Sequence, residues 1–274
     1  MDSFLIRVFE MLSQQDVQYC LLRGCDASAP LPEVDLLVAR RHLNRLSNAL
    51  EAHGFVTLPA WGHAPHRFYM GFDPAHGRRL KLDVVWTLRY GNPIRSLKVD
   101  LAERCLTNRW CDSGVYVLSP EHEFLTLLLH DLLDRKILEP RHWLRLNELQ
   151  QTPECQLDDT GRLAPLVREI LAPAITMDAL AQAMRSGNWN SLISRRKALR
   201  RQLFLRAPLV SAKWELSARI LRGIRPVVSA FHSPGAASLA PKGGSSETAR
   251  AAGLTAAGAS QGQQEVAWVR KLKN

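Results

Sequence analysis

Apolar side chains at Phe4, Ile6, Val8, Phe9 and Leu12 give residues 3–15 the spacing of a helix, and VQYCLLRG at 17–24 reads as a buried strand closed by a glycine. EVDLLVA at 33–39 reads as a second strand, RRHLNRLSNALEAH at 40–53 as an amphipathic helix stopped by Gly54, and FVTLPAW as a short extended segment. HRFYMGFD and RRLKLDVVWTL then predict a hairpin around Asp73-Pro74-Ala75-His76-Gly77, a turn built from chain-reversing residues. The first half is therefore α/β. Beyond about residue 97 the strand patterns thin to one short stretch, GVYVLS at 114–119, and Pro120 opens a helix through EHEFLTLLLHDLLDRK. Leu125, Leu128, Leu129, Leu132 and Leu133 are core positions of that helix by their periodicity. Segments near 140–151, 161–172, 177–186, 190–206 and 209–223 also favour helix.

From Pro226 onward Ala, Gly, Ser and Gln dominate, a composition that buries too little apolar surface to order itself, so 233–264 is expected to be disordered. The expected organisation is an α/β domain over 1–118, a helical domain over 119–225 and a low-complexity tail over 226–274.

The chain of 274 residues is 46% hydrophobic and 23% charged, a globular composition. No apolar run approaches the ~18 residues that span a bilayer, and MDSFLIRVFEMLSQQ lacks the basic start and cleavage site of a signal peptide. A cytoplasmic protein with no transmembrane segment is expected. The five cysteines, Cys20, Cys25, Cys105, Cys111 and Cys155, are scattered without a Cys-x-x-Cys pair, which argues for reduced thiols over a disulfide framework or a structural zinc site. The net charge of +10 is uneven: residues 185–274 hold 16 Lys and Arg against 3 Asp and Glu. Such a basic end suits an anionic partner for the C-terminal helices, or a solvated face. Nucleic-acid binding through LISRRKALRRQLFLR is a further reading that rests on charge alone, since a run of Arg and Lys without a known reading motif is weak evidence.

Candidate chemistry concentrates in LLRGCDASAPLPEVDLLV. Strand side chains alternate, so Glu33 and Asp35 share one face while Val34, Leu36 and Val38 point into the core. In LKLDVVW the same alternation puts Lys81 and Asp83 opposite Leu80, Leu82, Val84 and Trp86. Three converging carboxylates repel one another without a cation, and Mg²⁺ with oxygen ligands is the usual answer beside phosphates. Bound metal orients a nucleoside triphosphate for in-line displacement at its α-phosphorus, with backbone N–H groups near Gly24 approaching the phosphates. Arg23 is either a phosphate clamp or a surface ion-pair partner. His63 and His66 read as polar loop residues, with contact to a base, substrate or metal as the alternative, and His130 with Asp134, spaced i,i+4, reads as a buried helix-packing pair or as a base oriented by its carboxylate.

These residues resemble the nucleotidyltransferase superfamily, whose motif is a hydrophobic strand, Gly-Gly or Gly-Ser, an acidic-hydrophobic-acidic strand and a later acidic strand. Gly24, Glu33, Asp35 and Asp83 occupy those positions. GFVTLPAWGHAPHRFYMGFD, LKLDVVW and EFLTLLLHDLLDRK are further similar to bacterial proteins in which such a domain precedes a thymidylate-kinase-like P-loop domain, often among surface polysaccharide genes. The likeness covers about residues 17–140. It implies a nucleotidyltransferase-like mixed sheet with flanking helices. It also implies Mg²⁺ on Glu33, Asp35 and Asp83, with Asp83 activating an acceptor hydroxyl. Nucleoside triphosphate would contact Arg23, Gly24, Cys25 and Lys81, and the acceptor would be a small hydroxyl compound. Cys25 departs from the motif's Gly or Ser, and the gap from Gly24 to Glu33 is short. An alternative is therefore a catalytically degenerate nucleotide-binding or regulatory module, the remnant of a bifunctional protein. In the tail, SLAPKGGSSETARAAG is not a working P-loop, since Ser245 stands where its lysine belongs.

Overall fold

The computed structural model describes residues 3–23, 33–59, 65–73, 77–92, 95–135, 137–158, 161–217 and 219–220. Gly24, Cys25, His63 and the expected tail lie outside the described residues. Helix α1 (Ser3–Gln14) precedes β1 (Tyr19–Leu21) and β2 (Glu33–Val38). A 3-10 turn at Arg40–His42 leads into α2 (Leu43–Ala52), which is followed by β3 (Val56–Leu58), β4 (Arg67–Asp73) and β5 (Arg78–Val85). Strands β6 (Leu88–Tyr90) and β7 (Leu97–Val99), helix α3 (Ala102–Thr107), and strands β8 (Trp110–Asp112) and β9 (Val115–Val117) complete the first half.

Seven strands form one mixed sheet in the order β3-β4-β5-β2-β1-β9-β8, while β6 and β7 pair separately. The β4–β5 hairpin is antiparallel from Asp73↔Arg78 to Arg67↔Val84, and β5 pairs with β2 in parallel. The parallel register sets Asp35 directly beside Asp83 and Glu33 beside Lys81. Period-2 alternation then decides the faces. Val34, Leu36, Val38, Leu80, Leu82 and Val84 join one core with Leu5, Val8, Phe9 and Leu12 of α1 and Leu46 and Leu50 of α2.

The opposite face is buried too: Cys20, Leu37 and Val85 belong to a second core with Phe124, Leu125 and Leu128. These last come from α4 (Pro120–His130), a helix buried on nearly every side, its polar Glu121, His122, Thr126 and His130 included. A π-helical stretch at Asp131–Arg135 continues it, a geometry frequent at functional sites. Helices α5 (Pro140–Gln150) and α6 (Leu163–Ile170) pack on α4, α7 (Met177–Ser186) packs on α6, α8 (Asn190–Arg206) packs on α7, on the π-helical stretch and on β7, and residues 208–217 are again helical. Glu33, Asp35, Lys81 and Asp83 therefore lie on the face that the helical segment packs against, at the place where that packing opens.

One glycine in the sheet is fixed by close approach. At Gly71 in β4 a Cβ would run into the Phe55 ring, which fills the space beside α2. Gly71→Ala should cost about 1–3 kcal/mol by overpacking, read as a lower denaturant midpoint at unchanged slope. A neutral result would mean that Phe55 is free to rotate aside.

Candidate functional site

Ligand oxygens of Glu33, Asp35 and Asp83 lie within 4.8 Å of one another. Each carboxylate faces a cationic or hydrogen-bonding side chain. Glu33 accepts from Lys81 Nζ at 2.7 Å, and that ammonium also sits 4.8 Å from the Phe68 ring centroid. Asp35 pairs with Arg23 at 2.8 Å. Asp83 Oδ1 lies 2.5 Å from His66 Nδ1, and Arg95 closes on the other ring nitrogen, His66 Nε2. Arginine only donates, so His66 Nε2 is the acceptor and Nδ1–H donates to Asp83. Three negative charges are thus met by Lys81, Arg23 and, through neutral His66, Arg95.

A second histidine enters from the helical side. Arg23 Nη1 donates to His130 Nε2 at 3.1 Å, which leaves His130 Nδ1–H to donate to Asp134 Oδ2 at 3.0 Å. Asp134 is itself held, because Oδ1 accepts from the Gly91 backbone N–H at 2.6 Å. The chain Gly91–Asp134–His130–Arg23–Asp35 ties the π-helical turn to the acidic strands. A cleft enclosing about 570 Å³, part of it open solvent, is lined by Arg23, Asp35, His66, Asp83, His130 and Asp134 among others.

Burial raises Asp35 above the ordinary carboxyl value of 3.8, with Asp83 and Glu33 adding to the rise and Arg23 opposing it. The folded chain then holds that proton more tightly than the unfolded chain. Asp35 favours folding most at low pH, and this advantage is lost as pH rises through the raised value. In chelator, Asp35→Asn should gain thermal stability relative to wild type as pH climbs from about 4 to about 7. Scanning fluorimetry across that range checks it, and a pH-independent difference would deny the burial cost.

The donor set is all oxygen, anionic and closely spaced, so these residues fit a hard divalent cation such as Mg²⁺. Of the residues expected from sequence, the structure brings Glu33, Asp35, Asp83, Arg23 and Lys81 together. Lys81 faces Glu33. His66, read from sequence as a loop residue, is instead buried against Asp83, because β4 begins next to it and pairs with β5. His130 and Asp134 do form a buried pair, but the pair also faces the cleft. Arg95 and Arg89 line the same cleft and carry no local motif that would have singled them out.

Paired carboxylates on adjacent strands, arginines beside them and a cleft under a helical cover are the equipment of the nucleotidyltransferase class. The family of uncharacterised nucleotidyltransferases matches residues 4–145, more than half of the chain, and the protein belongs to that family. Membership implies a nucleoside triphosphate substrate. No curated protein and no solved structure matches the chain. Among the described residues no helix is long and apolar enough to cross a membrane.

Proposed function

We propose that the protein moves a nucleotidyl group from a nucleoside triphosphate to a small hydroxyl acceptor in an Mg²⁺-dependent reaction, the acceptor oxygen bonding to the α-phosphorus as the α–β phosphoanhydride bond breaks and pyrophosphate leaves, with a place in surface polysaccharide metabolism. The observation that carries this reading is the convergence of Glu33, Asp35 and Asp83 within 4.8 Å in a chain of this family. Glu33, Asp35 and Asp83 would hold the metal, which when bound neutralises phosphate charge and polarises the α-phosphorus. Arg23 exchanges Asp35 for a phosphate oxygen, its planar donors suiting either partner. Lys81 gives a point charge to the same phosphates, and Gly24 and Cys25, outside the described residues, would meet them through backbone N–H groups. Asp83, oriented by His66, receives the acceptor proton. The segment over 119–225 supplies the acceptor side of the cleft to the carboxylates carried by 1–118. The site suits a protein of the cytoplasm, where nucleoside triphosphates and Mg²⁺ are at hand.

The test is calorimetric titration of ATP, CTP, GTP and UTP into the protein with Mg²⁺ and again in excess chelator. One nucleotide should bind with metal and not without it. Binding of no nucleotide under either condition would overturn the reading.

A second reading, a degenerate module that keeps nucleotide affinity without transfer, is favoured by Cys25 at the motif's second glycine position. On that reading the basic C-terminal helices serve an anionic partner. Such a module tolerates loss of Asp83, whereas the enzyme does not.

A further inference from the structure

Arg89 stands out by what it lacks. It is only 8% exposed, yet no carboxylate among the described residues lies within ion-pair distance of it. Its Nη1 donates to the Ser96 carbonyl at 3.2 Å, its guanidinium lies 4.2 Å from the Trp214 ring centroid, and its Nε has no partner. Burial lowers it to about 10, with Asp100 opposing, so it still carries its charge at neutral pH. A buried cation without an anion is costly unless something supplies the missing charge.

Arg89 lines the cleft. So does Arg95, which meets neutral His66 and, although Asp35 feels its charge, has no carboxylate within ion-pair distance among the described residues. The Ser96 carbonyl that holds Arg89 belongs to the residue directly after Arg95, so the two guanidiniums are carried by neighbouring backbone. Two arginines with no carboxylate at ion-pair distance among the described residues leave charge to match the roughly −1.5 to −2 of a phosphate monoester at neutral pH.

We infer that Arg89, with Arg95, forms a phosphate-binding subsite of the cleft, held ready by Trp214 and the Ser96 carbonyl. The phosphate is the acceptor's own or the triphosphate's tail. Its assignment to an acceptor rests on the transfer reaction proposed above, while the subsite itself does not. A guanidinium whose plane is fixed by the Trp214 ring and the Ser96 carbonyl offers an oxyanion planar donors that a lysine does not reproduce.

The experiment titrates inorganic phosphate into the full chain in chelator without nucleotide, read by calorimetry and by tryptophan emission. Saturable binding with a change in emission is expected, and Trp214→Phe should remove the emission change while binding persists. Arg89→Met should abolish binding without lowering the thermal midpoint, since it removes a buried unpaired charge. Arg89→Lys should weaken binding at least about tenfold. Absence of saturable binding by wild type would overturn the inference. So would wild-type affinity in Arg89→Lys together with a large fall in the midpoint of Arg89→Met, which would make Arg89 a structural residue. Repeating the titration with Mg²⁺ and a non-hydrolysable nucleotide separates the two sources. Phosphate that binds alongside the nucleotide occupies an acceptor position, and phosphate that is displaced marks the site of the triphosphate tail. Because the first titration is run in chelator without nucleotide, failure of the metal site and failure of the subsite are read separately.

Discussion

Asp35→Ala combined with Asp83→Ala should weaken Mg²⁺-dependent nucleotide binding at least about 100-fold, or about 2.7 kcal/mol. The two residues sit in register on adjacent parallel strands, so one substitution pair removes the centre of the acidic cluster. Both side chains are more enclosed than that of Glu33, with 22% and 11% exposed against 46%. Glu33→Gln should accordingly cost less, because water can take the place of an outer ligand and Lys81 already neutralises Glu33. Calorimetric titration of the preferred nucleotide into the three proteins checks the ranking. Equal losses for Glu33→Gln and the double variant would place the metal nearer the exposed edge than this account has it.

The largest effect on stability is expected at Phe124. It is fully buried in α4, in the core that joins the helical segment to Cys20, Leu37 and Val85 of the sheet. Phe124→Ala should cost about 3–5 kcal/mol, the sum of lost transfer energy and the cavity left behind. In a chain of this size that lowers the thermal midpoint by roughly 10 °C. Because the same core floors the cleft, nucleotide binding should fall in the variant only where unfolding becomes populated. A loss of binding well below the melting range would instead mean that α4 positions the site directly.

How much of this was legible in the chain depends on the range of the interactions. The alternation in EVDLLV and RRLKLDVV is local, and it predicted both strands and the shared face of Glu33, Asp35, Lys81 and Asp83. The hairpin was readable because its turn residues lie between two apolar runs, and β4 and β5 do pair across it. Strands β6, β7 and β8 are three residues each and α3 is six, too short for a period to register. The run at 17–24 yields a strand only over Tyr19–Leu21.

The burial of both sheet faces was less visible. Leu37 and Val85 belong to the acidic side by parity, and only the helices that follow show why they are apolar. Long-range partners were out of reach altogether. Arg23 meets His130 across 107 positions, and His66 and Arg95 share a contact that neither local sequence suggests. Arg89 was unreadable for a further reason: an arginine in a strand looks like a surface residue until its burial is known.

On the proposed function, Glu33, Asp35 and Asp83 together hold a divalent cation. The most direct measurement is a titration of Mn²⁺, as a paramagnetic stand-in for Mg²⁺, followed by electron paramagnetic resonance in the presence of the preferred nucleotide. Wild type should take up Mn²⁺ stoichiometrically, and the Asp35→Ala, Asp83→Ala protein should leave the ion free in solution. Equal uptake by both proteins would place the metal elsewhere, and no uptake by wild type would contradict the site itself.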